Sequence, residues 1–240
     1  MNKFKVKGII FDYGGTIDTN SRHWAEVIWE KYQEIGLDIL KEDFREAYVH
    51  GERTLAKFPL VKPEHNFNDV LHIKLNIQID YLVEKGKLNS QEAKENKFAD
   101  KIADLCYDYV ISVLERTRPV VAKLAERYRL VLVSNFYGNI ETILDDFELR
   151  SYFSSIVESA VVGVRKPDPA IYRLGVEVMG YPAEEVLVVG DSFSKDVVPA
   201  KTVGCKVAWL KGEGWGGEEI DESLPDFIFT DLPDLLPEML

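Results

Sequence analysis

The sequence predicts an α/β protein with a doubly wound parallel sheet, and three observations favour this fold class. Short β-branched runs typical of buried parallel strands alternate with helical stretches from about residue 120 onward. A similar apolar run, at residues 8–11, stands near the start of the chain. Between the two, residues from about 20 to 115 show helical spacing and few strand-like runs. We therefore expect residues 1–19 and 116–240 to form the sheet domain, with residues 20–115 as a helical insert after the first strand.

Local patterns of apolar residues place the individual elements. Strands are expected at residues 130–134, 155–158, 186–191, 206–210 and 227–229. Helices are expected at residues 120–127, 140–147, 169–179 and 195–203. Within the insert, Trp24, Val27, Ile28 and Tyr32 recur at helical spacing, which predicts one buried helix face. The stretch from Pro59 to Asn68 is expected to be a loop inside the insert.

Charge narrows the classes of partner. Of the 240 residues, 29 are Lys or Arg and 41 are Asp or Glu, which gives a net charge of −12. Such a charge repels nucleic acid on average. A small phosphorylated substrate is still compatible with it, because a metal ion and a few local donors can override the mean field. The sequence does not distinguish a monomer from a homodimer.

Apolar runs and cysteines give an expectation for the compartment. No run approaches the roughly 20 apolar residues of a membrane span. The run near the start is too short for a signal peptide and ends in Asp12. Cys106 and Cys205 fit no metal spacing and suggest a reducing environment. The expectation is a cytoplasmic protein without a membrane partner.

Four polar segments lie at the ends of predicted strands or in the loops that follow them. They are Asp12 with Gly14, Gly15 and Thr16; Ser134 with Asn135; Lys166 within residues 165–169; and Asp191 with Asp196. Because α/β enzymes place their chemistry at the carboxyl ends of parallel strands, we expect these segments to form one site. Asp12 is the most informative member, since an apolar strand delivers its carboxylate directly into a glycine-rich turn.

The carboxylates of these segments suit phosphoryl transfer to an aspartate. Asp12 is the expected nucleophile. A divalent cation has to bridge the carboxylate and the phosphate, since two anions must meet. Mg²⁺ prefers oxygen ligands, and Asp12, Asp191 and the backbone carbonyl of Gly14 can supply three of them. Asp196 is expected to orient Lys166 or to hydrogen-bond groups that bind the metal without binding it directly.

Other members of the four segments can bind the transferring phosphoryl group. Lys166 can neutralise phosphate charge, so it is expected to be catalytic as well as substrate-binding. Ser134 and Asn135 can hydrogen-bond phosphate oxygens, as can the turn at Gly15 and Thr16. The sequence thus predicts a small phosphorylated substrate and Mg²⁺ as the cofactor.

The four segments also resemble the four motifs of the haloacid dehalogenase (HAD) superfamily. Asp12-x-x-Gly15-Thr16 is similar to the first motif, Ser134 to the second, Lys166 before Pro-Asp-Pro to the third, and Gly190-Asp191 with Asp196 to the fourth. Their order and approximate spacing agree along nearly the whole chain. The resemblance implies a Rossmann-like core, a helical C1-type cap formed by the insert, Mg²⁺ dependence and an aspartyl-enzyme intermediate, most often in a phosphatase.

Gly14 departs from the pattern of the family's phosphatases, which carry a second aspartate two residues after the nucleophile. That aspartate protonates the leaving alcohol and then activates water, whereas Gly14 has no side chain. General acid–base catalysis is typically worth about 10²–10⁴-fold, on the order of 3–5 kcal/mol, and here it needs another source. Asp18, His23 or a residue of the cap could replace it. If nothing does, aryl phosphates should react much faster than sugar phosphates.

Three alternatives to a phosphatase stay open at this point. A dehalogenase needs no proton for its departing halide, but the tyrosine of the dehalogenase motif falls one place early, at Tyr13. In family members that hydrolyse phosphonoacetaldehyde, the residue at the position of Gly14 is small. That reaction also needs a cap lysine to form a Schiff base, for which Lys57 is a candidate. The third alternative is a pseudoenzyme that keeps the site, binds a phosphorylated ligand or a partner, and turns over weakly or not at all.

Overall fold

A six-stranded parallel sheet forms the centre of the protein in the computed structural model, which describes residues 4–213 and 220–240. The strands are β1 (Gly8–Phe11), β2 (Arg129–Ser134), β3 (Ser155–Glu158), β4 (Val186–Gly190), β5 (Lys206–Leu210) and β6 (Phe227–Phe229). Their order across the sheet is β3-β2-β1-β4-β5-β6, and every neighbouring pair is parallel. This architecture confirms the predicted fold class, and the two shortest strand candidates also form.

Helices connect the strands and fill the predicted insert between β1 and β2. The insert contains α1 (Trp24–Glu34), α2 (Lys41–Lys57), α3 (Phe67–Glu84), α4 (Ser90–Asn96) and α5 (Phe98–Ala125). The later helices are α6 (Ile140–Asp146), α7 (Ser159–Val162), α8 (Ala170–Met179), α9 (Val198–Val203) and α10 (Leu236–Met239). Shorter 3₁₀ segments occupy Arg150–Tyr152, Ala183–Glu185 and Leu232–Leu235, and Phe193–Val197 is a π-helical turn. Within the described residues, no helix is both long and apolar enough to cross a membrane.

Helix α5 corrects one sequence expectation. The helix predicted to start at residue 120 is not a separate element, because α5 runs unbroken from Phe98 to Ala125 with Pro119 inside it. Its buried positions continue at spacings of three and four residues through Val110, Leu114 and Val121. Burial of this stripe outweighs the one backbone N–H that the proline lacks. The predicted division between residues 115 and 116 therefore falls within a helix.

The alternation of side chains along β1 divides the apolar core between the two faces of the sheet. Ile9 and Phe11 belong to one cluster of buried residues, and Ile10 belongs to the other. Insert residues such as Ile28 and Leu75 join the cluster of Ile9 and Phe11. The insert is thereby continuous with one face of the sheet through buried apolar contacts.

Strand order also determines where the polar strand ends meet. After β1 the chain builds β2 and β3 on one side and returns to build β4 on the other. Such a reversal leaves a crevice beyond the carboxyl ends of the two central strands. Asp12 follows β1 directly and Asp191 follows β4 directly, so both carboxylates lie at this crevice.

Candidate active site

A tight turn after β1 shapes the first part of the site. The carbonyl of Tyr13 accepts hydrogen bonds from the backbone amides of Thr16, Ile17 and Asp18 at 3.2, 2.8 and 3.4 Å. Gly15 has φ +96°, a backbone conformation that strains any residue with a side chain. The sharp reversal leaves the backbone of this turn close to Asp191.

A buried ion-pair network ties the third and fourth segments to Asp12. Lys166 Nζ lies 2.6 Å from Asp12 Oδ1 and 2.7 Å from Asp196 Oδ1. Asp12, Lys166 and Asp196 expose only 6, 4 and 1% of their surface. Asp196 also accepts hydrogen bonds from the Tyr172 hydroxyl at 2.7 Å and the Ser192 amide at 2.9 Å. These contacts hold the ammonium of Lys166 beside the expected nucleophile.

The carboxylates of Asp12, Asp191 and Asp196 lie close enough together to hold one metal ion, with ligand atoms within 4.8 Å of one another. Desolvation, opposed by the charge of Lys166, raises the pKa of Asp12 to about 6. Desolvation, together with repulsion from Asp196 and Asp12, raises the pKa of Asp191 well above its ordinary value. Burial lowers the pKa of Lys166, but the charges of Asp12 and Asp196 outweigh that effect and raise it.

This charge balance fits a divalent cation. Three clustered carboxylates face one ammonium, which leaves two negative charges without a partner inside the cluster. An oxygen-only donor set is what Mg²⁺ prefers. Asp191 is the carboxylate of the three that has no contact with Lys166 among the described ion pairs, so it is the one whose ionised form most needs a bound cation.

The remaining predicted site residues surround this cluster in different ways. Ser134 is the last residue of β2, is 1% exposed and lines the cavity above Asp12. Gly14 and Gly15 line the same cavity. Asn135 also lines it, but its side chain holds the backbone of Lys166, accepting from the amide at 2.8 Å and donating to the carbonyl at 3.0 Å.

Thr16 faces the metal-ligand candidates instead of the open cavity. Its hydroxyl donates to Asp191 Oδ1 at 3.3 Å, and the side chain is fully buried. It does not belong to the described lining of the cavity. The structure thus gives Thr16 and Asn135 contacts with Asp191 and Lys166, and the predicted contacts of both residues with substrate remain predictions.

A cavity of about 1010 Å³ opens above the cluster and extends to the helical insert. Its insert-side wall is largely aromatic and aliphatic: Trp24, Tyr48, Leu55, Phe58, Phe67, Val70 and Leu71. Polar groups interrupt that wall at His23, at Lys57 and at a buried ion pair. Lys74 Nζ lies 2.7 Å from Glu52, which also accepts a hydrogen bond from the Tyr137 hydroxyl at 3.3 Å.

Sequence reasoning missed the pair formed by Lys74 and Glu52. A signal was present, because Lys74 stands on the apolar face of α3 directly before Leu75 and is only 9% exposed. A lysine in such a stripe is rarely buried without a partner of opposite charge. The partner could not be predicted, since Glu52 is on a different helix.

The two residues considered for other chemistries lie as follows. Tyr13 is fully buried, packs edge-on against Phe136 at 6.0 Å between ring centroids, and is not part of the described cavity lining. Lys57 lines the cavity at its exposed side, with Nζ 5.1 Å from the ring centroid of Phe58. Neither side chain contacts Asp12 through a described hydrogen bond or ion pair, although the backbone of Tyr13 hydrogen-bonds the Asp12 carboxylate.

Replacing Gly15 by alanine should weaken metal binding at the predicted site. A Cβ at this position would lie 2.4 Å from Asp191 Oδ2, so the carboxylate would have to move. We expect Gly15→Ala to lower Mg²⁺ affinity about 10–100-fold, as loss of ligand orientation does elsewhere, and to cost about 1–3 kcal/mol in unfolding free energy. Calorimetric Mg²⁺ titration and chemical denaturation measure the two effects.

Gly86→Ala is the matched control for that variant. Gly86 also has positive φ, +68°, but nothing lies within 4 Å of a Cβ built there. This control should show the backbone strain without any change in Mg²⁺ affinity. Equal Mg²⁺ affinity in both variants would contradict the predicted role of Gly15.

Comparison with known proteins agrees with the geometry. A family model described as haloacid dehalogenase-like hydrolase matches residues 6–204. The chain belongs to this hydrolase family, as the four segments and the sheet order also indicate. The predicted resemblance is therefore confirmed.

Individual relatives differ in how much of the chain they match. Phosphoglycolate phosphatase of Aquifex aeolicus is 23% identical, and the alignment covers 98% of this chain and 97% of that protein. Glyceraldehyde 3-phosphate phosphatase of Pyrococcus furiosus is 32% identical, but the match spans only 37% of this chain and 38% of the relative. Among solved structures, a HAD-hydrolase of Bacillus subtilis bound to magnesium covers 97% of both chains with TM-score 0.59 and 15% identity. At that identity the likeness is one of fold alone.

Proposed function

We propose that this protein is a Mg²⁺-dependent phosphatase that acts on a small phosphorylated metabolite through a phosphorylated Asp12. One observation carries the proposal: three distant parts of the chain contribute Asp12, Lys166 and the nearby pair Asp191 and Asp196 to one largely buried cluster at the base of the cavity. A nucleophile, a fixed cation beside it and a second carboxylate for a metal are what phosphoryl transfer to aspartate requires.

In this proposal Asp12, Asp191 and the backbone carbonyl of Gly14 hold Mg²⁺. Asp196 orients Lys166 through their ion pair. When bound, the ion would neutralise charge on the phosphate and on the attacking carboxylate. The clustering of the three carboxylates with only one ammonium supports this assignment.

The protein's own groups then carry the chemistry. An oxygen of Asp12 attacks phosphorus, and the bond from phosphorus to the ester oxygen breaks, with its electron pair leaving on that oxygen. Lys166 and Ser134 hydrogen-bond the phosphoryl oxygens as charge shifts onto them. Water then attacks phosphorus, the bond from Asp12 to phosphorus breaks, and inorganic phosphate and the free carboxylate result. Asn135 supports this role of Lys166, since its side chain fixes the lysine backbone.

The insert side of the cavity supports a substrate with an apolar or neutral part beyond its phosphate. That wall is largely aromatic and aliphatic, and its buried lysine is already paired with Glu52. A second anionic group on the substrate would have to compete with that ion pair or to bind Arg165 or Lys195, which also line the cavity. The phosphatases of phosphoglycolate and of glyceraldehyde 3-phosphate among the relatives support the phosphatase class.

A screen of metal-dependent hydrolysis tests the proposal. Phosphate esters, acyl phosphates and haloacids are assayed with Mg²⁺ and with EDTA, and both phosphate and halide are measured. We expect phosphate release that falls on the order of 10³-fold or more in EDTA, since the cation supplies several kcal/mol of charge stabilisation. Halide release without Mg²⁺ would favour the dehalogenase alternative. No turnover of any compound, with phosphate still bound, would favour the pseudoenzyme.

A further inference from the structure

Position 14 lacks the acid/base carboxylate, yet a carboxylate lies beside it. A Cβ built on Gly14 would have, among the described residues beyond its chain neighbours, one heavy atom within 4 Å, and that atom is Asp18 Oδ2 at 4.0 Å. An aspartate at position 14 would hold its own carboxylate oxygens nearer to that Cβ, so the Asp18 oxygen borders the space of such a side chain without filling it. Asp18 thus presents an oxygen to the space that such a side chain would occupy.

The turn after β1 explains this arrangement. Hydrogen bonds from Thr16, Ile17 and Asp18 back to the carbonyl of Tyr13 close a tight turn. The left-handed backbone of Gly15, with φ +96°, takes this turn out of regular helix between positions 14 and 18. The closed turn therefore brings Asp18 back beside Gly14, where its Oδ2 lies 4.0 Å from a Cβ built on that glycine.

Asp18 is held in place by two neutral donors. Its Oδ1 accepts from the Gly15 amide at 2.7 Å, and its Oδ2 accepts from Trp24 Nε1 at 2.9 Å. It lines the cavity although only 1% of its surface is exposed. A carboxylate has about four lone-pair sites, so each oxygen can still meet a substrate oxygen or a water molecule. Burial, opposed by those two hydrogen bonds, raises the pKa of Asp18 to about 7.

The other candidates for the general acid and base that Gly14 lacks fit less well. Burial lowers the pKa of His23 to about 4, so its imidazole is neutral near neutral pH and has no imidazolium proton to give. Its Nδ1 accepts from the Ala25 amide at the start of α1. In the insert, Lys74 is paired with Glu52.

We propose that Asp18 is the general acid and base that Gly14 cannot be, a role that rests on the proposed phosphatase function. The carboxyl proton of Asp18 passes to the ester oxygen as the bond from phosphorus to that oxygen breaks, and the alcohol leaves neutral. The resulting carboxylate of Asp18 takes a proton from the water that attacks phosphorus on Asp12. Asp18 is then protonated again, so the cycle needs no further reactant.

Leaving-group dependence in Asp18→Asn tests the proposal. The ratio kcat/KM covers steps up to the phosphorylation of Asp12, whereas kcat also reflects its hydrolysis. We expect kcat/KM for alkyl phosphates to fall about 10²–10⁴-fold, and for aryl phosphates with acidic phenols to fall less than about tenfold, because those phenols leave without a proton. For aryl phosphates kcat should still fall, since water activation is lost.

Rescue and a matched control separate catalysis from packing. Gly14→Asp in the Asp18→Asn background should restore alkyl phosphate hydrolysis at least about tenfold, since it returns a carboxylate to the same space. Trp29→Phe, also on α1, changes packing against Phe44 without touching Asp18 or the described lining of the cavity, so alkyl and aryl substrates should be affected alike. Equal losses on both substrate classes in Asp18→Asn, or no rescue by Gly14→Asp, would overturn the proposal.

The wild-type protein gives a test that needs no variant. With Asp18 as the acid, kcat/KM for alkyl and aryl phosphates should differ by less than about 10²-fold, the lower end of what general acid catalysis supplies. A larger gap in favour of aryl phosphates would mean that no acid serves the leaving group, and would overturn the role of Asp18 while leaving a phosphatase. No Mg²⁺-dependent phosphate release from either class would refute the proposed function itself.

Discussion

Asp12→Asn should abolish phosphate release, with kcat reduced on the order of 10⁴–10⁶-fold, as loss of a covalent nucleophile does in other enzymes. The amide is almost the same size as the carboxylate, but it neither attacks phosphorus nor offers a charged oxygen to a metal. Asp196 still pairs with Lys166 in the variant, so the fold should persist. Steady-state phosphate release with Mg²⁺ measures the loss, and circular dichroism checks the fold.

Asp168→Asn is the control for that variant. Asp168 is exposed, and its side chain accepts a hydrogen bond from the Ala170 amide at the start of α8, a contact that asparagine can also make. Its activity should stay within about twofold of wild type, as surface substitutions usually do. Substantial turnover in Asp12→Asn would mean that another group is the nucleophile.

Lys166→Met should reduce both activity and stability. Lys166 is 4% exposed and its ammonium contacts Asp12 and Asp196, so its loss leaves these buried carboxylates without a partner of opposite charge. Breaking such a pair typically costs about 3–5 kcal/mol in unfolding free energy, and losing one donor to a transferring group costs about 10²–10³-fold in kcat. Urea denaturation of the metal-free protein and initial rates with Mg²⁺ measure the two losses.

The stability loss in Lys166→Met should depend on pH in a defined direction. The pKa of Asp12 is already raised to about 6, and removal of the cation raises it further. Folded wild type stops losing stability to Asp12 ionisation above a pH of about 6, whereas the folded variant continues to lose it up to its own, higher pKa. The deficit relative to wild type therefore grows as pH rises above about 6 and shrinks below it. A deficit independent of pH would contradict the electrostatic explanation.

Lys201→Met is the matched control for Lys166→Met. Lys201 also pairs with an aspartate, Asp226 at 2.9 Å, but both side chains are partly exposed. Exposed pairs contribute about 0–1 kcal/mol, so this variant should lose little stability and keep its activity. A loss as large as that of Lys166→Met would show that burial is not what makes Lys166 important.

Much of the fold could be predicted because the strands are short, apolar and separated by helices, so periodicity identifies them. The grouping of Asp12, Ser134 and Asp191 followed from the same rule, since parallel strands bring their carboxyl ends to one edge. The continuity of α5 was missed because Pro119 resembles a helix start, and only the tertiary burial of Leu114 and Val121 shows that the helix passes through it.

The side-chain contacts of the site were harder to predict. Asn135 was predicted to hydrogen-bond the phosphate, whereas its side chain hydrogen-bonds the backbone of Lys166. That contact depends on how two loops meet, which local sequence patterns do not encode. The pair of Lys74 and Glu52 needs two helices to be placed relative to each other. The position of Asp18 beside Gly14 could not be predicted either, since it depends on the tight turn that the left-handed backbone of Gly15 allows.

Mapping the phosphoryl group tests the central claim most directly. Wild-type protein is mixed with a phosphate ester and Mg²⁺, quenched in acid during steady-state turnover and digested, and its peptides are analysed by mass spectrometry. We predict one phosphoryl group on the peptide that contains Asp12, and none when EDTA replaces Mg²⁺. Phosphate release without a phosphoryl group on that peptide, or with the group on another residue, would contradict the assignment of Asp12 as the nucleophile.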